Sequence, residues 1–294
     1  MTLQVEALTP NFAAELRGID ISEPVAPDVV RAMHEAIDHY GVVVFRGQTL
    51  LDEQQMRFAS QFGPLERYSL SYRADRKLRL KHVEMVDVSN IDAQTGAVQD
   101  RAARNRMINL GNRMWHTDSS FRIPSGALSM LYAHAVPQAD GDTEFADMRS
   151  AYAALPDARR QALDGLKAEH WLMHSRAVLG FTDFTEEERA ALPPVAQPIV
   201  RTHPRSGDKA LYLGAHASHI IGMPVPEGRV MLMELTEFAT QRRFIHTHRW
   251  RVGDLVIWDN RVTLHRALPF DESEVRDLRR VTTADVESLA QAAE

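Results

Sequence analysis

The sequence predicts a mainly β domain whose helices lie outside one sandwich- or barrel-like core. Two observations carry this. Beyond residue 120 the apolar pattern breaks into many short β segments bounded by polar or turn residues. Helical periodicity is confined to a few stretches, and no repeat, low-complexity tract or linker divides the chain. The 294 residues, 44% of them hydrophobic, suffice for a sizeable core and predict a single domain over 1–294.

The elements follow in order. "PDVVRAMHEAIDHYG" (27–41) opens on Pro and closes on Gly, with Val30, Met33 and Ile37 at helical spacing. "VVVFRG" (42–47) reads as a buried strand and "DEQQMRFASQFG" (52–63) as a second helix. Residues 65–114 are irregular, charged and Arg-rich, in the manner of a loop over a site. After "WHTDSSF" (115–121) come strands at 127–136 and 142–148, then a helix over roughly 149–167. Residues 175–196, with "PP" at 193–194, are weakly patterned and read as an inserted lid. Strands at 198–203 and 209–216 precede an amphipathic helix at 227–241. The segments 244–250, 254–260, 262–268 and 277–283 complete the β pattern.

Composition narrows the function. A formal net charge of −6 argues against nucleic-acid or membrane partners, which favour excess Lys and Arg, but leaves room for a small anionic substrate held by a few pocket arginines. The absence of cysteine excludes disulfides, thiolate metal ligands and a Cys nucleophile, and fits a reducing compartment. No apolar run approaches the ~20 residues of a membrane helix, and the N-terminus lacks a secretory pattern. A cytoplasmic protein is the expectation, and a homo-oligomer is compatible with it.

Within "WHTDSSF", a strand would aim His116 and Asp118 at one point and turn Thr117 away. Imidazole plus carboxylate suits Fe(II) when a second imidazole completes one face of an octahedron. His265, at the end of "WDNRVTLH", is a candidate third ligand; a lone His on an apolar strand equally reads as a core residue bonded to a carbonyl. His246/His248 and His216/His219 are rival pairs at strand and helix spacing, and neither brings a matching carboxylate. Arg276 and Arg280 would share one face of a strand, flanking Leu278 while Arg279 points away. Inward guanidinium groups suit carboxylate anions. The alternative is a surface strand paired with Asp271, Glu272, Glu274 and Asp277. Thr143 offers a hydroxyl at the head of a strand.

Taken together, the blocks "FRGQ", "FGPLE", "WHTDSSF", "GDTEFADMRSAYAALP", "GAHASH", "VGDLVIWDNR", "LHRA" and "LRRVTT" resemble the Fe(II)/2-oxoglutarate dioxygenases of the taurine and 2,4-dichlorophenoxyacetate dioxygenase type. The resemblance spans nearly the whole chain and lies nearer the phenoxyacetate branch. It implies a double-stranded β-helix (jelly-roll) core with flanking helices and an inserted lid. It implies Fe(II) on His116, Asp118 and His265, and 2-oxoglutarate held at its far carboxylate by Thr143 and Arg276, with O2 as the remaining co-substrate. Arg280 matches a residue meeting the substrate anion, and Asn112 a position lining the substrate pocket. The family's substrate-contacting lysine falls near Ser71, Tyr72 and Arg73 here, where only Arg73 offers a replacement charge. The implied reaction hydroxylates an aryloxyalkanoate next to its ether oxygen, giving a phenol and glyoxylate, with 2-oxoglutarate converted to succinate and CO2. Trp115 reads as a pocket wall or as plain core. The alternatives are a sulfonate, sulfate-ester or other small-carboxylate dioxygenase of the same family, a Zn(II) hydrolase built on the same three ligands, and a non-catalytic binding protein.

Overall fold

In the computed structural model, which describes residues 2–67 and 78–288, every side chain of the strand Val42–Phe45 is buried. A continuous apolar run of this kind belongs to a strand covered on both faces. It lies inside a seven-stranded sheet ordered Gln4–Ala7, Ala14–Arg17, Val42–Phe45, Leu255–Asp259, Gly126–Ala135, Asp277–Ala284, Met85–Asp87. Neighbours are antiparallel except Ala14–Arg17 with Val42–Phe45, which run parallel.

Alternation sorts the sheet into two cores. Val43, Phe45, Met130, Ile257 and Val281 face outward, where helices Pro27–Tyr40 and Asp52–Ser60 cover them with Met33, Ile37 and Phe58. The first helix starts with Pro in its opening turn and stops at Gly41, whose φ of +70° an L side chain seldom adopts. Val42, Val44, Leu131, Val256, Trp258 and Leu278 face inward. There they meet Phe145 from a three-stranded antiparallel sheet of Ile245–His248, Thr143–Asp147 and Thr263–Ala267. The Phe145 and Trp258 ring centroids lie 5.4 Å apart. Behind the smaller sheet, helices Met148–Ala153 and Val225–Ala239 pack with a further sheet of Ala217–Ile220, Lys167–His170 and Val195–Pro198. The expected mainly β architecture with outer helices is therefore present.

Several local expectations need correction. The helix expected over 149–167 is two, Met148–Ala153 and Asp157–Leu163, because Pro156 interrupts it, and its end becomes the strand Lys167–His170. The region 65–114 is not all loop. Met85–Asp87 adds an edge strand, and Arg104–Asn109 continues into a 3₁₀ turn, Leu110–Arg113. Residues 175–196 contain the end of helix Leu172–Val178, the helix Glu186–Ala191 and the start of a strand. His219 lies on the strand Ala217–Ile220 rather than a helix, so the i, i+3 argument for the His216/His219 pair fails.

Phe45 is fully buried and meets Phe58 edge-on at 5.9 Å. Phe45→Ala should cost about 3–5 kcal/mol of unfolding free energy through lost burial and the cavity left behind, measured by denaturant titration; a loss below about 1 kcal/mol would mean the outer core is not continuous there.

Candidate metal centre and its two cavities

His116 and His265 form one cross-strand pair. Each donates its backbone N–H to the other's carbonyl, at 3.0 and 2.8 Å, and their ring centroids are 4.1 Å apart. Asp118 reaches the same point by another route than the expected strand. His116 makes a single bridge, and the chain then enters a turn at Asp118 in which Ser119 takes φ +55°. His116 Nε2 lies 3.9 Å from one carboxylate oxygen of Asp118, and His265 Nε2 lies 3.7 Å from the other. One ligand atom from each residue falls within 4.8 Å of the others, and all three residues are buried.

The neighbours orient these groups. His116 Nδ1 meets the Met114 carbonyl at 2.8 Å, leaving Nε2 toward the cluster. Ser129 donates to Asp118 Oδ2 at 2.7 Å, and Arg280 pairs with Oδ1. Asn260, absent from the sequence-based candidates, ties the assembly together. Its carbonyl oxygen accepts from the Asp118 backbone N–H and from Trp258 Nε1, both at 3.0 Å, while its amide donates to Ser129 Oγ at 2.9 Å. Thr117 turns away from the cluster as expected and donates to the main-chain carbonyl of Asn260 at 2.7 Å. The "WDN" turn was the only signal for Asn260, and a turn Asn is ordinary.

Burial lowers the proton affinity of both His116 and His265. Burial opposes ionisation of Asp118, but the Arg280 guanidinium and the Ser129 hydroxyl favour the charged form, and the carboxyl lies below its usual range. Two neutral imidazoles and one carboxylate result, a donor set that fits non-haem Fe(II). The second cluster of this type among the described residues, Asp38, His203 and Asp259, is committed to ion pairs with Arg205 and Arg261.

Two adjoining cavities, of about 880 and 810 Å³ counted out to open solvent, share Val88, Asn109, Asn112, His116 and Arg280. The first also takes in Thr143, Trp258, His265 and Arg276. Arg276 precedes a β-bulge at Asp277/Leu278, is 6% exposed, and has no ion-pair partner among the described residues. Burial pulls its pKa down to about 10. Thr143 Oγ1 accepts from Trp250 Nε1 at 3.0 Å, which leaves the hydroxyl proton available to the cavity. The second cavity takes in Asp118, Phe121, Leu172, Arg176 and His216. Leu278 faces the inner core between the two arginines, and Arg279 pairs elsewhere, with Asp52 and Asp277. The surface-strand alternative therefore fails for Arg276 and Arg280. Arg73, with Ser71 and Tyr72, lies outside the described residues. Trp115 packs at the edge of the rear core under Arg266 and lines neither cavity. His248 is bonded to Asp254 at 3.2 Å, away from the cluster.

The comparisons with known proteins agree with this geometry. Residues 4–282 match the family described as "Taurine catabolism dioxygenase TauD, TfdA family". This chain belongs to that family. It is 49% identical to the alpha-ketoglutarate-dependent 2,4-dichlorophenoxyacetate dioxygenase of Cupriavidus pinatubonensis, over 97% of this chain and 99% of that protein. It is 32% identical to the (S)-phenoxypropionate/alpha-ketoglutarate-dioxygenase of Delftia acidovorans, over 92% and 91% of the two chains. The crystal structure of AAD-2 in complex with Mn(II) and N-oxalylglycine superposes with a TM-score of 0.93 at 44% identity, covering 97% and 98%. Among the described residues, no helix of this family member is long and apolar enough to cross a membrane.

Asn260 touches none of the three donor atoms of the cluster, so its role is separable from ligation. Asn260→Ala should weaken Co(II) binding about 10–100-fold, measured by calorimetry, with the fold retained by circular dichroism. Unchanged affinity would show that Ser129 and Arg280 alone orient Asp118.

Proposed function

We propose that the protein is a 2-oxoglutarate-dependent Fe(II) dioxygenase that hydroxylates an aryloxyalkanoate, such as a phenoxyacetate, at the carbon next to the ether oxygen. One observation carries the reading: both imidazoles of the two-imidazole, one-carboxylate cluster line a cavity with a deeply buried arginine that meets no carboxylate among the described residues. A Zn(II) hydrolase has no use for such an arginine, whereas a co-substrate with a distal carboxylate does. The substrate class is supported by the 49% identity to a 2,4-dichlorophenoxyacetate enzyme.

His116, Asp118 and His265 would hold the metal. Bound there, Fe(II) with 2-oxoglutarate activates O2 for C–H hydroxylation, releasing succinate and CO2. Arg276 and Thr143 would hold the far carboxylate of 2-oxoglutarate, Arg276 through its guanidinium fork and Thr143 through the proton its Trp250 contact leaves available. The Arg280 side chain is 17% exposed and lines both cavities, so part of its guanidinium beyond the Asp118 contact would meet the substrate carboxylate. Fixing that carboxylate presents the ether-linked carbon to the metal side of the cavity, and Asn112, on the shared wall, would limit how far the ring can turn. The hydroxylated carbon then carries both OH and O-aryl, and this hemiacetal breaks to phenol and glyoxylate. We read the two facing sheets as the halves of a double-stranded β-helix in one domain over 1–294, and residues 175–196 as a lid on the second cavity. The helix Leu172–Val178, which overlaps the start of that segment and contributes Leu172 and Arg176 to the cavity, supports this reading. A substrate carrying a sulfate ester is the second reading, favoured by 30% identity to the sulfate ester dioxygenase of Pseudomonas putida.

Adding 2-oxoglutarate to anaerobic Fe(II)-loaded protein should develop a visible charge-transfer band that phenoxyacetate perturbs and alkyl sulfates or taurine do not; no band at all would reject the co-substrate assignment. His116→Ala, Asp118→Ala and His265→Ala should each abolish metal retention and turnover, and full activity in any one refutes the ligand set. Arg276→Ala should raise the KM for 2-oxoglutarate at least tenfold, as loss of a charge-assisted bond worth about 1.5–3 kcal/mol requires. An unchanged KM places the anchor elsewhere. Arg280→Ala should depress phenoxyacetate turnover more than uncoupled 2-oxoglutarate decay, and equal losses would count against its role.

A further inference from the structure

The second cavity contains a guanidinium to which the proposed reaction assigns no task. Arg176, on helix Leu172–Val178, is 6% exposed and borders that cavity with Asn112, His116, His216 and Arg280. Its Nη1 donates to Ser175 Oγ at 2.8 Å. That hydroxyl gives its single proton to the Leu172 carbonyl at 2.6 Å, so His216 Nδ1, 3.1 Å away, must donate to it as well. The guanidinium carbon sits where a Cβ on Gly111 would come within 2.5 Å, so glycine at 111 makes room for it.

The electrostatics agree with that placement. After burial, Arg176 is the largest influence depressing the proton affinity of His216, and its field reaches His116 too. Arg280 borders the Asp118 end of the cavity, and Arg176 the His216 end. Ile108, Phe121 and Leu172 supply apolar wall. A ring against that wall, with one carboxylate on Arg280, has its remote edge available to the second guanidinium.

We propose that Arg176 is a specificity-determining residue of this cavity, receiving an anionic substituent on the end of the substrate remote from the carboxylate held by Arg280. The proposal rests on the reading of the second cavity as the substrate site. It makes the preferred aryloxyalkanoate one with two separated negative ends, and a planar guanidinium fork matches a ring carboxylate in two-point contact.

The test compares phenoxyacetate with 4-carboxyphenoxyacetate in the Fe(II)-loaded enzyme. The wild type should use the dianion at least as well as the monoanion. R176Q should lower kcat/KM for the dianion roughly tenfold more than for phenoxyacetate, the equivalent of one charge-assisted hydrogen bond, through KM rather than kcat. R176K should recover part of the loss, and the KM for 2-oxoglutarate should not move. Equal losses on both compounds, or wild-type rejection of the dianion while phenoxyacetate is turned over, overturn the proposal. If R176Q fails to fold by circular dichroism, the wild-type preference and R176K decide on the same criteria. If neither compound is turned over, the functional reading falls. Calorimetric binding of the two compounds to the anaerobic 2-oxoglutarate-loaded protein then decides for Arg176: tighter binding of the dianion supports it, and equal or weaker binding overturns it.

Discussion

The site depends on one reciprocal pair of main-chain hydrogen bonds. His116 and His265 are far apart in the chain, yet each donates its amide to the other's carbonyl. A hydrogen-bonded cross-strand pair fixes the spacing and the side of the two Cβ atoms at once. Slipping the register by one residue would turn one imidazole to the opposite face. Every other feature of the centre adjusts to that pair: the turn that brings Asp118 in, the Asn260 amide that braces it, and the bulge that precedes Arg280 on its strand.

The charges are arranged so that burial assists the chemistry. Buried imidazoles stay neutral, as a metal ligand must be, while the one buried carboxylate stays ionised because cationic and hydroxyl neighbours outweigh its desolvation. Arg276 is the opposite case. Desolvation makes its charge costly, and that cost favours any carboxylate able to enter. A dry arginine beside a threonine hydroxyl would therefore suit one end of the dicarboxylate co-substrate proposed above.

Much of this was readable in the sequence. The all-apolar run at 42–45, the Pro-to-Gly span at 27–41 and the short apolar segments of the last third placed strands and helices, since each rests on burial of a local pattern. The convergence of His116, Asp118 and His265 and the cavity positions of Thr143, Arg276 and Arg280 were legible mainly through the resemblance of whole blocks; H-x-D alone carries little. Strand alternation predicts that Asp118 converges with His116, but a turn rather than a strand aims it there. Edge strands such as Met85–Asp87 were missed, being too short to show a period. Asn260 and Arg176 were missed because their places beside the site come from contacts made across the fold, which no local spacing records.

The His116–His265 pair joins the segment entering the main sheet to the strand Thr263–Ala267 of the smaller one. An ion held there would act as a clasp between the two halves of the β core. By mass action, a ligand that binds only the folded chain adds about 2.7 kcal/mol at a hundredfold excess over its dissociation constant. Iron supply would then set how long the protein survives in the cell as well as how fast it turns over.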